Sequence, residues 1–221
     1  MSTTVVRVPT TVEGPSLVSV TLWRLLFAGC AWAGLLAGLV TGGWEVLRYF
    51  TQVSTLCVAL SATASLLTPL VLDGAMESRW GVARGAATTY TTITFFVFAT
   101  MLGADYSTLT SLLTHLVVPL MAITDWLLVG RNQRLAWWWP LVWLSVPLLY
   151  LVSYVIGGET LYRFLVPGAR DFADYVLFLL VAFLAVGYAW WGIGQLRSLR
   201  WPPQTVPAAE AVPWQTRRRR R

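Results

Sequence analysis

The sequence predicts an all-α membrane protein, a bundle of about six transmembrane helices with both termini in the cytoplasm. Three observations lead there. Of 221 residues, 57% are hydrophobic and only 12% are charged, about half the charge that a soluble domain carries. The apolar residues lie in long blocks, each near the roughly 20 needed to cross about 30 Å of hydrocarbon. The arginines crowd into alternate loops, as they do in segments retained on the cytoplasmic side. Hydrocarbon offers a backbone no water, so each block must satisfy its own hydrogen bonds as a helix. The alternating segments of about ten residues that mark a β-barrel are missing.

Residues 1–15 are polar, hold Pro9 and Pro15, and read as a short cytoplasmic tail. The transmembrane domain follows over 16–197. Its first helix is expected from Leu17 to Thr41, stopping at Gly42-Gly43, and its second from Tyr49 to Leu72. Asp73 to Arg84 reads as a charged loop, then a third helix runs from Gly85 to Leu102 and a fourth from Leu109 to Val129. Arg131 to Arg134 form a tight basic turn before a fifth helix, Trp137 to Ile156. A polar stretch, Gly157 to Asp174, leads into the sixth, Tyr175 to Leu196. Residues 198–221 carry four prolines before Arg217–Arg221. Such a segment cannot bury a core and is expected to be a disordered cytoplasmic tail. Its arginines serve as a topology anchor, and each contributes about 1 kcal/mol near anionic lipid headgroups. Arg24 interrupts the first apolar block, where a cleaved signal needs an unbroken one.

With the N-terminus inside, the inner segments hold Arg7, Arg79, Arg84, Arg131, Arg134, Arg197, Arg200 and the terminal five. The outer loops keep Arg48, Arg163 and Arg170 beside Glu45, Asp105, Glu159, Asp171 and Asp174. Trp137–Trp139 and Trp190-Trp191 fall near helix ends, where an amphipathic ring prefers the headgroup layer. The net charge of +6 comes from these topology signals, so no nucleic acid is expected as a partner. The bilayer is. All sixteen basic residues are arginine, which excludes a retinal or pyridoxal Schiff base on lysine. Cys30 and Cys57 each sit inside an apolar block and give neither a disulfide framework nor a metal site. No cofactor is expected. Gly34-x-x-x-Gly38 has the small-residue spacing of a close helix contact, more economically internal than a dimer seam.

Ionisable groups at membrane depth are costly and need a partner or a purpose. Two sets emerge when residues are counted from the helix ends at about 1.5 Å each. Arg24 and Asp125 share the inner depth and are expected to pair between the first and fourth helices. Alternatively, Arg24 snorkels to the headgroups and Asp125 meets Arg131 or Arg134. The outer set joins His115, the single histidine, with Thr51, Ser54 and Thr55, which share one face by their i, i+3, i+4 spacing. A hydroxyl beside an imidazole can act as nucleophile and base. Helical threonines also bond back to their own backbone, and a membrane histidine also serves as a helix-bridging hydrogen bond. Both readings stand.

Several short motifs go further. Tyr49-Phe50-Thr51 with Ser54, His115-x-x-x-Pro119 followed by Asp125-Trp126, Trp143 to Tyr150, and Tyr162-Arg163-Phe164-Leu165 resemble those of the actinobacterial six-helix membrane proteins. These are distantly similar to the androgen-induced-gene family of multi-pass membrane threonine hydrolases. The resemblance covers roughly residues 45–195. It implies a bacterial cell membrane, a fatty acyl ester substrate, Thr51 as nucleophile and His115 as its partner; Ser54, Thr55 and Tyr162 are expected to bind substrate beside them. Two other functions remain open: a transporter or small-molecule binding protein using the same polar patch, and a non-catalytic assembly partner.

Overall fold

The computed structural model describes residues 6–7, 14–71, 81–130, 133–200 and 205–206. Six helices dominate: α1 (Gly14–Gly42), α2 (Phe50–Val71), α3 (Gly81–Met101), α4 (Leu109–Val129), α5 (Trp139–Ile156) and α6 (Phe172–Arg200). Each lies within a few residues of its expected bounds. A tight 3-10 segment, Gly43–Arg48, joins α1 to α2. Gly43 has φ +63°, a left-handed conformation that glycine adopts without steric cost. Val6–Arg7 pairs antiparallel with Thr205–Val206, bringing the two ends of the chain together. Arg79, Arg131 and Arg217–Arg221, with the remainder of both expected tails, lie outside the described residues.

Among the described residues, five helices are long and apolar enough to cross a membrane, which is compatible with a multi-pass membrane protein. The sixth, α3, is not among them. Six of its 21 residues are threonine. Yet it is the most enclosed helix, with Gly81, Arg84, Gly85 and all of 87–94 buried, packed by α2, α4 and α6. Thr88, Thr89, Thr92 and Thr94 each donate to the carbonyl four residues back. These four hydroxyls are thus satisfied within the helix, and their methyl groups are free to pack.

Small residues set the close approaches. A Cβ on Gly85 would fall 2.5 Å from Trp143 and 3.1 Å from Trp126. A Cβ on Gly34 would meet Thr114 at 3.1 Å, and one on Gly38 would meet Gln52 at 2.6 Å. The Gly34-x-x-x-Gly38 face therefore packs inside the bundle, against α4 and α2. Alanines 28, 31, 59, 62, 87 and 122 fill the core there. Tight backbone approach is the main source of helix association where the solvent is itself apolar.

Two expectations need correction. Arg84 was assigned to the inner loop; it sits in the first turns of α3, only 6% exposed, because the charged run ends a few residues before it. Trp190 was assigned to an interfacial belt, as the exposed Trp137 and Trp138 suit. It is instead buried, donating to Thr92 Oγ1 at 3.2 Å and accepting at its carbonyl from the Trp126 indole at 3.0 Å. Its polar handle bridges helices.

Helix α4 is interrupted twice by wider π turns, Leu113–Val117 and Asp125–Val129. The first has a local cause. Pro119 has no N–H for the His115 carbonyl, and its ring crowds that carbonyl; the Val118 N–H reaches back to Leu113 O instead. In the second, the Gly130 N–H bonds to Asp125 O at 2.8 Å. The Trp126 carbonyl is left to accept from Gln133 and Arg197. Single π turns of this kind often accompany functional positions.

Candidate active site

The structure brings Thr51 and His115 together. Thr51 lies in the first turn of α2 and His115 in the first π turn of α4, with Thr51 Oγ1 3.2 Å from His115 Nε2. Most helical threonines in this chain turn their hydroxyl to their own backbone, Thr55, Thr63 and Thr68 among them. Thr51 turns its own to an imidazole on another helix.

The other ring nitrogen fixes the proton. His115 Nδ1 is 3.2 Å from the Ser111 carbonyl, which can only accept. Nearby, the Ser111 hydroxyl donates to the Asp105 carbonyl and the Thr114 hydroxyl to the Thr110 carbonyl. Their protons are therefore committed elsewhere, and Nδ1 carries the hydrogen. Nε2 is then the free acceptor for the Thr51 hydroxyl, the tautomer a general base needs. The Phe98 ring stacks on the imidazole at 3.7 Å and 15°, holding its plane.

A cleft opens beside Thr51. It is lined mainly by aliphatic and aromatic side chains, with Thr51, Thr94, Tyr150 and Tyr162 as the hydroxyl-bearing exceptions. Tyr162, expected to bind substrate, is one of these lining residues. Ser54 and Thr55 are not. Both are fully buried behind Thr51, and their hydroxyls donate to the Thr51 carbonyl at 2.8 Å. Ser54 also meets Thr94 Oγ1 at 3.1 Å. Their i+3 and i+4 spacing, read as a pocket wall, instead serves to hold the first turn of α2.

The connection from α5 to α6 closes the cleft at the α2 N-terminal end. Its Tyr162, Phe164 and Leu165 are lining residues. The Phe50 N–H donates to the Tyr162 hydroxyl at 3.0 Å, and the Tyr162 N–H donates to Tyr154 at 3.3 Å. Burial pushes the Tyr162 phenol up to about 12, so it is a neutral hydrogen-bonding group. Arg48 ties the same connection down, bonding Glu159 Oε1 at 2.7 Å and Glu45 at 2.5 Å. The Tyr150 hydroxyl donates to the Arg48 carbonyl at 2.7 Å. No family model matches this chain, and neither a curated protein nor a solved structure matches it.

The second set lies about 15 Å further along α4, ten residues at 1.5 Å each. Asp125 is 5% exposed and Arg24 2%, so Arg24 does not snorkel to an aqueous surface. Asp125 Oδ2 is 3.2 Å from Arg84 Nε, and Asp125 Oδ1 accepts from the Trp23 indole at 3.1 Å. Arg24, the neighbour of Trp23, donates to the Ser65 carbonyl at 3.1 Å. The carboxylate expected to meet α1 therefore also faces α3, and α1 reaches it through Trp23. The Arg84 guanidinium lies 5.7 Å from the centre of the Trp126 ring, within cation–π range. Among the described residues, no group of three or more metal-ligating side chains occurs.

Sequence reasoning missed Phe98, Ser111, Tyr150 and Arg84. One signal was present: Ser111 stands four residues before His115, on the same helix face.

Proposed function

We propose that this chain is a multi-pass membrane hydrolase of long-chain acyl esters, with Thr51 as nucleophile and His115 as its base. The observation that carries the reading is the 3.2 Å contact between Thr51 Oγ1 and His115 Nε2, with Thr51 lining an apolar cleft. Thr51 Oγ1 forms a bond to the ester carbonyl carbon, and its proton passes to Nε2. The ester C–O bond then breaks, and the departing alkoxide takes that proton as an alcohol. Water, deprotonated by the same nitrogen, releases the fatty acid and restores the threonine. Such pairs raise rates by about 10²–10⁴ through proton transfer alone.

The direct test is labelling of the detergent-purified protein with a fluorophosphonate probe. Label is expected at Thr51 and absent from Thr51→Ala. A folded wild-type protein that neither takes the probe nor turns over long-chain esters would reduce the site to a binding pocket, and the hydrolase reading would fail.

The arginine asymmetry supports an orientation in the cell membrane with both termini cytoplasmic and the Thr51 end outward. Reporter fusions after Gly130 and Gln204 are expected to read cytoplasmic, and one at Gly158 external. An external signal at Gln204 would reverse the assignment.

A further inference from the structure

A second cleft lies between α3 and α6 and shares Ile93, Val97 and Leu179 with the first. Its remaining walls include Phe96, Ala182 and Phe178, and both phenylalanines are more than half exposed on the outside of the bundle. It runs from the level of Met101 and Asp174 to that of Ile93 and Ala182, eight residues or about 12 Å of helix. Its apolar side walls make it a groove that continues the candidate active site sideways. Towards the aqueous end the same site is covered by Tyr162, Phe164 and Leu165, with Tyr162 and Leu165 at 8% and 4% exposure. That cover is fastened by Arg48 to Glu159 and by Phe50 to Tyr162.

We propose that the groove between α3 and α6 is a lateral binding site for one acyl chain of a membrane lipid, leading from the bilayer to Thr51. The inference rests on the hydrolase reading only for what happens at its inner end. Four features fit the occupant. The walls are apolar along the length, so a chain trades one apolar surrounding for another. The polar groups lining the groove, Thr100, Asp174 and Tyr175, stand at the end where an ester or headgroup would lie. The groove meets the cleft at Val97 and Leu179, next to Thr94 and Phe183. Finally, the aqueous side is closed by a bonded cover, whereas a lipid already in the bilayer need not pass it.

The test reconstitutes the full chain in nanodiscs of phosphatidylcholine doped with a phosphatidylcholine bearing a diazirine near the middle of one acyl chain. After illumination, labelled residues are mapped by mass spectrometry. Label is expected on Phe96 and Phe178 and also on the interior residues Val97, Leu179 and Phe183. In Ala182→Trp, where the groove is filled, the interior label should fall at least tenfold. Label at the outward Leu60 and Leu149 should not change, which shows that the variant is folded and in lipid. Labelling needs no turnover, so Thr51→Ala should label like the wild type. Interior label in a wild-type protein that turns over no ester would keep this inference and sink the hydrolase reading. Ester turnover unchanged in Ala182→Trp, or label spread evenly over outward side chains with none inside, would overturn it.

Discussion

Substituting His115 by alanine is expected to lower ester turnover by about 10³-fold or more while the protein still unfolds at nearly the wild-type temperature. The threonine hydroxyl attacks a carbonyl poorly unless a neighbouring base takes its proton. His115 Nε2 lies 3.2 Å away, and no other histidine exists to replace it. Thr51→Ala should reach the same floor, and the double variant should be little worse than either single one, because groups acting as one unit are strongly non-additive. Thr51→Ser keeps a hydroxyl at the same atom and should retain part of the rate. Thr55→Ala probes a different role. Its hydroxyl only supports the Thr51 carbonyl, so a modest loss of rate and stability together is expected. The measurement is turnover of a long-chain ester in detergent micelles, paired with a thermal unfolding curve for each variant. Full activity in a destabilised His115→Ala protein would make the histidine a helix bridge and end the catalytic reading.

The second large effect concerns stability. Asp125→Asn is expected to destabilise the detergent-solubilised protein by about 3–5 kcal/mol, since removing one member of a buried pair strands the other charge. Arg84 lies 3.2 Å from that carboxylate, so adding Arg84→Gln to Asp125→Asn should recover part of the loss. Arg24→Gln in the same background asks whether α1 shares the carboxylate, as equal depth led us to expect. Simple additivity for either arginine would show that it does not meet Asp125. Gly130→Ala offers an independent route to the same site. Its Cβ would fall 1.5 Å from Arg84 Nη2, so the guanidinium must leave its place. A loss similar to that of Asp125→Asn is expected from thermal unfolding. A neutral Gly130→Ala would mean that Arg84 can move away freely and that the cluster is not tightly specified.

The outer set was legible because depth along a straight helix is simple arithmetic. Thr51 and His115 each sit a short count from a helix end, and the two helices run the same way. The tautomer of the imidazole was not legible. It depends on where the Ser111 and Thr114 hydroxyls spend their protons, which follows from the local geometry of α4. Ser54 and Thr55 were placed on the right face and given the wrong task, because a shared face does not say whether a cavity or another helix lies beyond it. Arg84 was hidden for a different reason. At the edge of a charged stretch, an arginine that marks a cytoplasmic loop and one that begins a helix look alike, and only the burial of Asp125 on a neighbouring helix separates them. The π turns could be suspected at Pro119 but not at Asp125, where no proline announces the widened turn. Trp190 was misread because two tryptophans near a helix end fit a headgroup belt as well as an interior contact.

The composition of α3 also governs a question of parity. A census based on hydropathy alone finds the five apolar helices, an odd number, and would put the two ends of the chain on opposite faces of the membrane. Were α3 to cross as well, the number would be even and both ends would lie on one face, which is compatible with the pairing of Val6–Arg7 with Thr205–Val206. Whether the count is odd or even therefore turns on a helix of six threonines, five of which bond their hydroxyls back to their own helix.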